Sequence, residues 1–445
     1  MTMGVQPLQV AALNLIHAAA RGPEDTVKAL LQGHGGLLRN DFDDADLSTW
    51  IGRVDGVESE RIAEPLSKVD CRNNRLAQMA LDDAAPRAAL REAIRRFGAD
   101  RIGVFLGTGT SGIHTTELAC REGRGAMDFQ LPASFSYRYT HDTYSCAAFI
   151  RRLVGLLGPA VVISTACSSS AKVFPLAERY IRAGLCDAAL VGGVDSLCLT
   201  ILYGFNSLEL LSSEPCRPWD AHRSGISIGE GAGFALLVPG RTGVALVGYG
   251  ESSDAYHIAT PHSQGEGAAR AMREALSWGA IPSEAVDYID LHGTATRSND
   301  AAEDQAVSSV FGPATPCSST KGWTGHTLGA AGITEALLSV LAITHGIMPG
   351  SLNTRTLDPA RCSRGLGRAA HRLLDELALC SGASSAPRRA SERYPCDRIR
   401  GTGNGPARGL VSAQPLGRQT GLSGRSARRR ACGPILGRGC RQDRD

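Results

Sequence analysis

Two stretches constrain this fold more than any others. "VVISTACSSSAKVF", residues 161–174, runs from β-friendly residues into a cysteine, three serines and an apolar helical pattern. "LGAAGITEALLSVLA", residues 328–342, is a second helical run, apolar and small along its length. A helix without a polar face must be covered on all sides. Two such strand–helix units, far apart in sequence, predict two similar halves packed together. Around them, residues 1–360 alternate strand and helix signals, the pattern of an α/β protein. The strand signals fall at 9–15, 102–106, 160–164, 188–191, 233–238, 244–251 and 288–291. The helix signals fall at 23–31, 86–97, 169–183, 266–278, 301–311 and 329–345.

Composition narrows the class. With 52 glycines and only 5% aromatic residues, tight backbone packing must replace bulky side chains. No run of about 18 apolar residues stands out, so no membrane insertion is expected. The N-terminus lacks a basic segment and a cleavage pattern, so the reading is cytoplasmic. Thirteen cysteines without CxxC spacing fit reduced thiols and argue against a disulfide framework or a zinc site. The net charge of +3 hides an asymmetry. Residues 361–445 hold 18 Arg, no Lys and 6 acids, or +12, which leaves −9 for the rest. A basic tail is one form of nucleic-acid arm, but this one has almost no aromatics for stacking and no regular spacing. Its Gly, Ser, Pro and Arg cannot bury enough apolar surface to offset chain entropy. Disorder is expected there, apart from a helical piece near 369–379.

Three places carry candidate chemistry. Cys167 sits where a strand becomes a helix, where the helix dipole and unpaired N–H groups would favour a thiolate; the plain alternative is a small core residue. "DLHGTATRSND", 290–300, puts His292 at a strand's C-terminal end on a Gly-rich turn, where α/β folds build their sites. "SSTKGWTGHTLGAAG", 318–332, holds Lys321 and His326 on a small-residue loop. Lys321 is one of four lysines, and a buried ammonium needs a partner. Three other patterns weigh less. Gly107-Thr-Gly-Thr-Ser-Gly112 fits GxGxxG, but no acid closes a second strand of a nucleotide-binding unit. Ser169-Ser-Ala-Lys172 fits SxxK, but no KTG follows. The acids Asp300, Glu303 and Asp304 read as a polar helix start more readily than as metal ligands.

Taken together and in order, TACSSS, HGTAT and STKGWTGH resemble the β-ketoacyl-acyl carrier protein synthases, condensing enzymes with the thiolase fold, over roughly residues 9–360. CRPWDAHRSGISIGEGAG and GTGTSG are similar to further family stretches. The wording is most like the ketosynthases of aryl-polyene pigment clusters. The resemblance implies a layered αβαβα fold: an N-terminal half over 1–240, a C-terminal half over 241–360, and the tail 361–445 outside both. It implies Cys167 as nucleophile and His292 and His326 as neutral N–H donors to a malonyl thioester. Lys321 would hold His326 in place, with Glu335, Asp300 and Glu303 in support. No cofactor or metal is implied, since substrates ride on the phosphopantetheine of acyl carrier protein. The partners implied are that carrier and a second subunit, identical or ketosynthase-like. A non-catalytic chain-length-factor-like subunit is the alternative, disfavoured by Cys167; a degradative thiolase is disfavoured by the Lys321/His326 pair. The family's Gly-rich SFGFGG loop and last strand have no counterpart, as if the reading frame had shifted. The expectation is an incomplete C-terminal half, an unpaired sheet edge, and turnover lowered about 100–1,000-fold by the loss of one oxyanion donor.

Overall fold

The structure, a computed structural model, describes residues 6–124, 129–256, 260–361 and 408–416. In the first half, β1 (Leu8–His17), β2 (Ile102–Gly107), β3 (Ala160–Ile163), β4 (Ala188–Asp195) and β5 (Gly231–Pro239) lie in the order β3-β2-β4-β5-β1. β2 is parallel to β3 and β4, whereas β5 is antiparallel to β4 and β1. Every residue of β2 and β4 is buried, which is why both read as near-continuous apolar and glycine runs rather than alternating ones. On one face lie α1 (Arg72–Leu81), α2 (Ala84–Phe97) and α3 (Tyr144–Val154). They press Leu76, Leu90, Phe149 and Ile150 against Val104, Leu106, Leu190 and Leu236. α1 and α3 carried no clear signal in the sequence.

The second half begins with β6 (Val244–Ser253), followed by α5 (Glu266–Gly279), β7 (Ile289–Asp290), α6 (Arg297–Phe311), β8 (Cys317–Ser318) and α7 (Ala331–His345). α4 (Val173–Arg182) from the first half and α7 form the middle layer. Phe174, Ala177, Ile333 and Leu337 pack with Phe105, Val191 and Leu237 of the main sheet and with Leu246 of β6. α5 covers the other face of β6, so closely that a Cβ on Gly250 would lie 1.8 Å from the Ala271 carbonyl oxygen. The architecture is α/β, with helix, sheet, helix, sheet and helix in layers. The span Leu328–His345 does have the length and apolarity of a membrane helix, contrary to the sequence reading, but 78% of it is buried inside the fold, as a core helix must be.

Three expectations need correction. The helix signal at 169–183 becomes regular helix only at Val173, because the serines before it bond to the backbone instead. The Ser168 and Ser169 hydroxyls donate to the Thr165 and Ala166 carbonyls at 2.8 and 2.6 Å, and Ser169 Oγ accepts from the Thr165 N–H at 2.9 Å. Nor is α4 apolar all round, since Arg179 and Arg182 face outward. The edge of β6 is also not left unpaired. β9 (Arg408–Leu416) lies parallel to it from Val244 to Ser253. The sequence reading of an unstructured tail passed over this segment because one strand's worth of apolar residues was diluted by its Arg/Gly-rich flanks. The helical piece near 369–379 lies outside the described residues.

Candidate active site

The two halves meet at three turns, and each turn is under backbone strain. Ala166, Ala295 and Leu328 adopt φ of 55°, 66° and 55°, a region that costs an L-residue about 1 kcal/mol or more. They adjoin Cys167, the HGT turn and His326. The turns also pack backbone to backbone. A Cβ on Gly107 would sit 2.3 Å from the Ser170 nitrogen, and Gly332 packs against Ala171. Only small residues allow that approach, which accounts for the TACSSS and GAAG wording.

At the junction, Cys167 Sγ and one ring nitrogen each of His292 and His326 lie within 4.8 Å of one another. The imidazoles meet edge to face, centroids 5.2 Å apart. The structure therefore brings the three chemical candidates into one place. His326 is buried, and its Nδ1 accepts from the Leu328 N–H at 3.0 Å. His292 Nδ1 lies 3.2 Å from Lys321 Nζ, a group that only donates. A ring nitrogen that accepts carries no hydrogen, so both imidazoles hold theirs on Nε2. Burial, reinforced by the Lys321 charge, pushes both histidines below the ordinary imidazole range, so both are neutral. Two N–H donors and a thiol then share one cavity. A cation is disfavoured there, because the free face of each ring presents a hydrogen rather than a lone pair.

Lys321 stands beside His292 and not beside His326, a correction to its expected role; a backbone N–H orients His326 instead. Burial works against the ammonium, but the charge and hydrogen bond of Glu335 hold its pKa above the ordinary lysine value. Glu335 Oε1 is also 3.8 Å from His292 Nδ1. Glu303 accepts from the backbone N–H groups of His292 and Gly293 at 2.7 and 2.8 Å, fixing the HGT turn. Asp300 does not reach the cavity. It is fully buried, accepts from the Trp219 N–H at 2.9 Å and pairs with Arg223 at 3.1 Å, tying two loops together. Burial raises Asp300 to about 6 and Glu303 to about 7.

Burial also pushes the Cys167 thiol up to about 11, only partly offset by the Lys321 charge. The thiolate expected from a helix N-terminus is therefore corrected: the regular helix begins six residues on, at Val173. Sequence reasoning also missed Asp195. Its buried carboxylate accepts from Thr108 Oγ1, the Gly109 and Thr110 N–H groups and the Gly329 N–H, at 2.5 to 3.0 Å. It binds the GTG turn to the loop leading into α7. A lone acid at the end of an apolar strand was the available signal.

Comparison with known proteins agrees along the chain. Residues 7–242 match the family model for the N-terminal domain of beta-ketoacyl synthase, and residues 244–355 match that for its C-terminal domain. The 3-oxoacyl-[acyl-carrier-protein] synthase 2 of Vibrio cholerae is 32% identical over 377 residues, covering 79% of this chain and 89% of that protein. Nodulation protein E of Rhizobium meliloti is 31% identical, covering 75% and 90%. Among solved structures, a ketosynthase in complex with its chain length factor from Xenorhabdus doucetiae is 36% identical, with a TM-score of 0.73 over 81% of this chain and 90% of that one.

Proposed function

The chain belongs to the β-ketoacyl synthase family and is an acyl-transferring condensing enzyme, and we propose that Cys167, His292 and His326 carry its reaction. The observation that supports this reading is the convergence of one thiol and two neutral imidazoles within 4.8 Å. Cys167 Sγ attacks the acyl thioester on acyl carrier protein; the Sγ–C bond forms, the pantetheine sulfur leaves and takes up the thiol's proton. Malonyl-acyl carrier protein follows. The Nε2–H groups of His292 and His326 donate to its thioester oxygen and stabilise the enolate as CO2 departs. The enolate carbon attacks the acyl-Cys167 carbonyl, the C–S bond breaks, and the departing Sγ thiolate takes one proton from water. The product is a 3-oxoacyl chain two carbons longer.

The acyl chain is of the fatty-acid or aryl-polyene type, and no cofactor takes part. The working unit is a dimer with an identical or ketosynthase-like subunit in the cytoplasm. Its natural seam is β3, the edge strand of the main sheet, whose four apolar residues are half-exposed. Turnover is slow, because the chain beyond residue 355 lies outside the family match that would supply the second oxyanion donor. The test is acylation of the purified protein by an acyl-pantetheine thioester. Cys167→Ala should abolish it, a loss of about 10⁴-fold or more. A parent chain that takes up no acyl group would leave the alternative, a non-catalytic chain-length-factor-like subunit, and acylation that survives the substitution would remove Cys167 as the nucleophile.

A further inference from the structure

A cleft of about 680 Å³ runs along α3, and none of the residues lining it belongs to the turns that carry Cys167, His292 or His326. Its volume falls within the range of small-molecule sites, roughly 300–1,000 Å³. Ser145, Phe149 and Arg152 line it at helical spacing, so they share one face of α3. Phe149, Val69 and Leu156 give it an apolar middle. Its two ends are polar. At the helix start Ser145 is 5% exposed, and its Oγ has no hydrogen-bond partner among the described residues. Arg138 and Asp142 line the cleft from the segment that leads into that end. Towards the helix end, Arg151 donates from Nη2 to the Leu157 carbonyl at 3.1 Å, while its buried Nε has no partner among the described residues. The exposed Arg152 lies next to it in the lining.

We propose that this cleft binds a linear α,ω-dicarboxylate of medium chain length, laid along α3 with one carboxylate at each end. The spacing of the donors favours a chain over a compact anion. Ser145 and Arg151 are six residues apart, which separates them by about 9 Å along the helix axis. A single small anion would reach one end and leave the other buried donor unpaired, which is costly. The charge agrees. Three guanidiniums, of Arg138, Arg151 and Arg152, against the one carboxylate of Asp142 leave two net positive charges, which a dianion neutralises. Asp142 is already engaged, since its Oδ1 accepts from the Tyr144 N–H at 3.0 Å. At one end the Arg151 Nε–H and the Arg152 fork donate to a carboxylate, the geometry in which guanidinium binds best. At the other the Ser145 hydroxyl donates, with Arg138 supplying the charge. The methylenes between them cover Phe149, Val69 and Leu156, which removes apolar surface from water. A monocarboxylate of the same length leaves one end unpaired, and a diol leaves the guanidiniums without a counter-charge.

The test is calorimetric titration of the full purified chain with octanedioate, octanoate, octanediol and butanedioate. Octanedioate should bind, with octanoate and octanediol weaker by about 10-fold or more. Butanedioate carries the same charge but cannot reach both ends, and should be weaker by a similar factor. Added salt should loosen octanedioate and leave octanediol unaffected. Ser145→Ala and Arg152→Gln each remove one end of the site and should bring octanedioate down to the affinity of octanoate. The first deletes only a hydroxyl and the second changes an exposed side chain, so both keep the fold, which far-UV dichroism checks. Ala148→Phe fills the cleft from its half-buried wall and should abolish the binding. Octanoate bound as tightly as octanedioate would overturn the proposal. So would octanedioate bound equally by the parent and by Ala148→Phe, or not bound by the parent at all.

Discussion

The half that carries the thiol and the half that carries the imidazoles are built to different standards. In the first, five strands in the order β3-β2-β4-β5-β1 are paired side by side, with β1 touching β6 only at Leu8–Leu246 and Gln9–Ala245, and Cys167 stands on a turn lined by hydroxyls and small residues. In the second, β7 and β8 are two residues long and pair only with each other, parallel as β2 and β3 are. Among the described residues nothing there corresponds to β4, and β9 runs parallel to β6 where β5 runs antiparallel to β1. Buried charge compensates: Asp300 with Arg223 and Lys321 with Glu335 hold the second half's loops, and the carboxylate of Glu303 holds the HGT turn. A nucleophile can be placed by packing alone, whereas two neutral donors need fixed tautomers, and fixed tautomers need polar partners.

The sharpest way to break this contrast is to disturb the contact between halves. A Cβ on Gly332 would lie 2.5 Å from the Ala171 nitrogen, so Gly332→Val should cost about 3 kcal/mol, read as a shift in the urea midpoint, and should silence acylation. Next comes the thiol. With its pKa near 11, Cys167 should be alkylated by iodoacetamide at a rate that climbs about tenfold per pH unit above pH 9 and levels off only near pH 11. A plateau near neutral pH would mean that the turn activates the sulfur after all.

The charged half should show a pH signature of its own. Asp300 and Glu303 have folded pKa values raised above their ordinary 3.8 and 4.5. The folded state therefore binds protons the unfolded chain has lost. Their contribution to stability is full below about pH 4 and is lost as pH rises to 6 and 7. Asp300→Asn should flatten the fall in unfolding free energy between pH 4 and 6; a curve identical to the parent's would remove Asp300 as its source. The smallest effect belongs to the nucleophile turn. Ala166→Gly relieves a positive φ and should change stability by about 1 kcal/mol or less, the gain in strain offset by added chain entropy.

Much of this was legible in the chain itself. The strand and helix signals in residues 1–360 fall on observed elements because buried strands and amphipathic helices leave periodic traces. α1 was missed because RNNRLAQMAL mixes polar residues into a buried helix: Arg72 is there to pair with Glu230, a partner 158 positions away. Cys167, His292, Lys321, His326 and Glu335 were singled out by their wording, and the structure gathers them. The partner of Lys321, the remoteness of Asp300 from the cavity and the hub at Asp195 were not, since each depends on which loops meet.

What the sequence alone determined was the inventory: an α/β chain, its small-residue turns, and one thiol and two imidazoles on them. Periodicity and residue size are local properties and survive in one dimension. Only the tertiary structure decided the protonation of that inventory. It set which nitrogen of each ring carries hydrogen, which ring the ammonium touches, and how far burial raises the thiol. Those are properties of distance and dielectric among turns that meet only in the folded chain, and neither periodicity nor residue size along the chain records them.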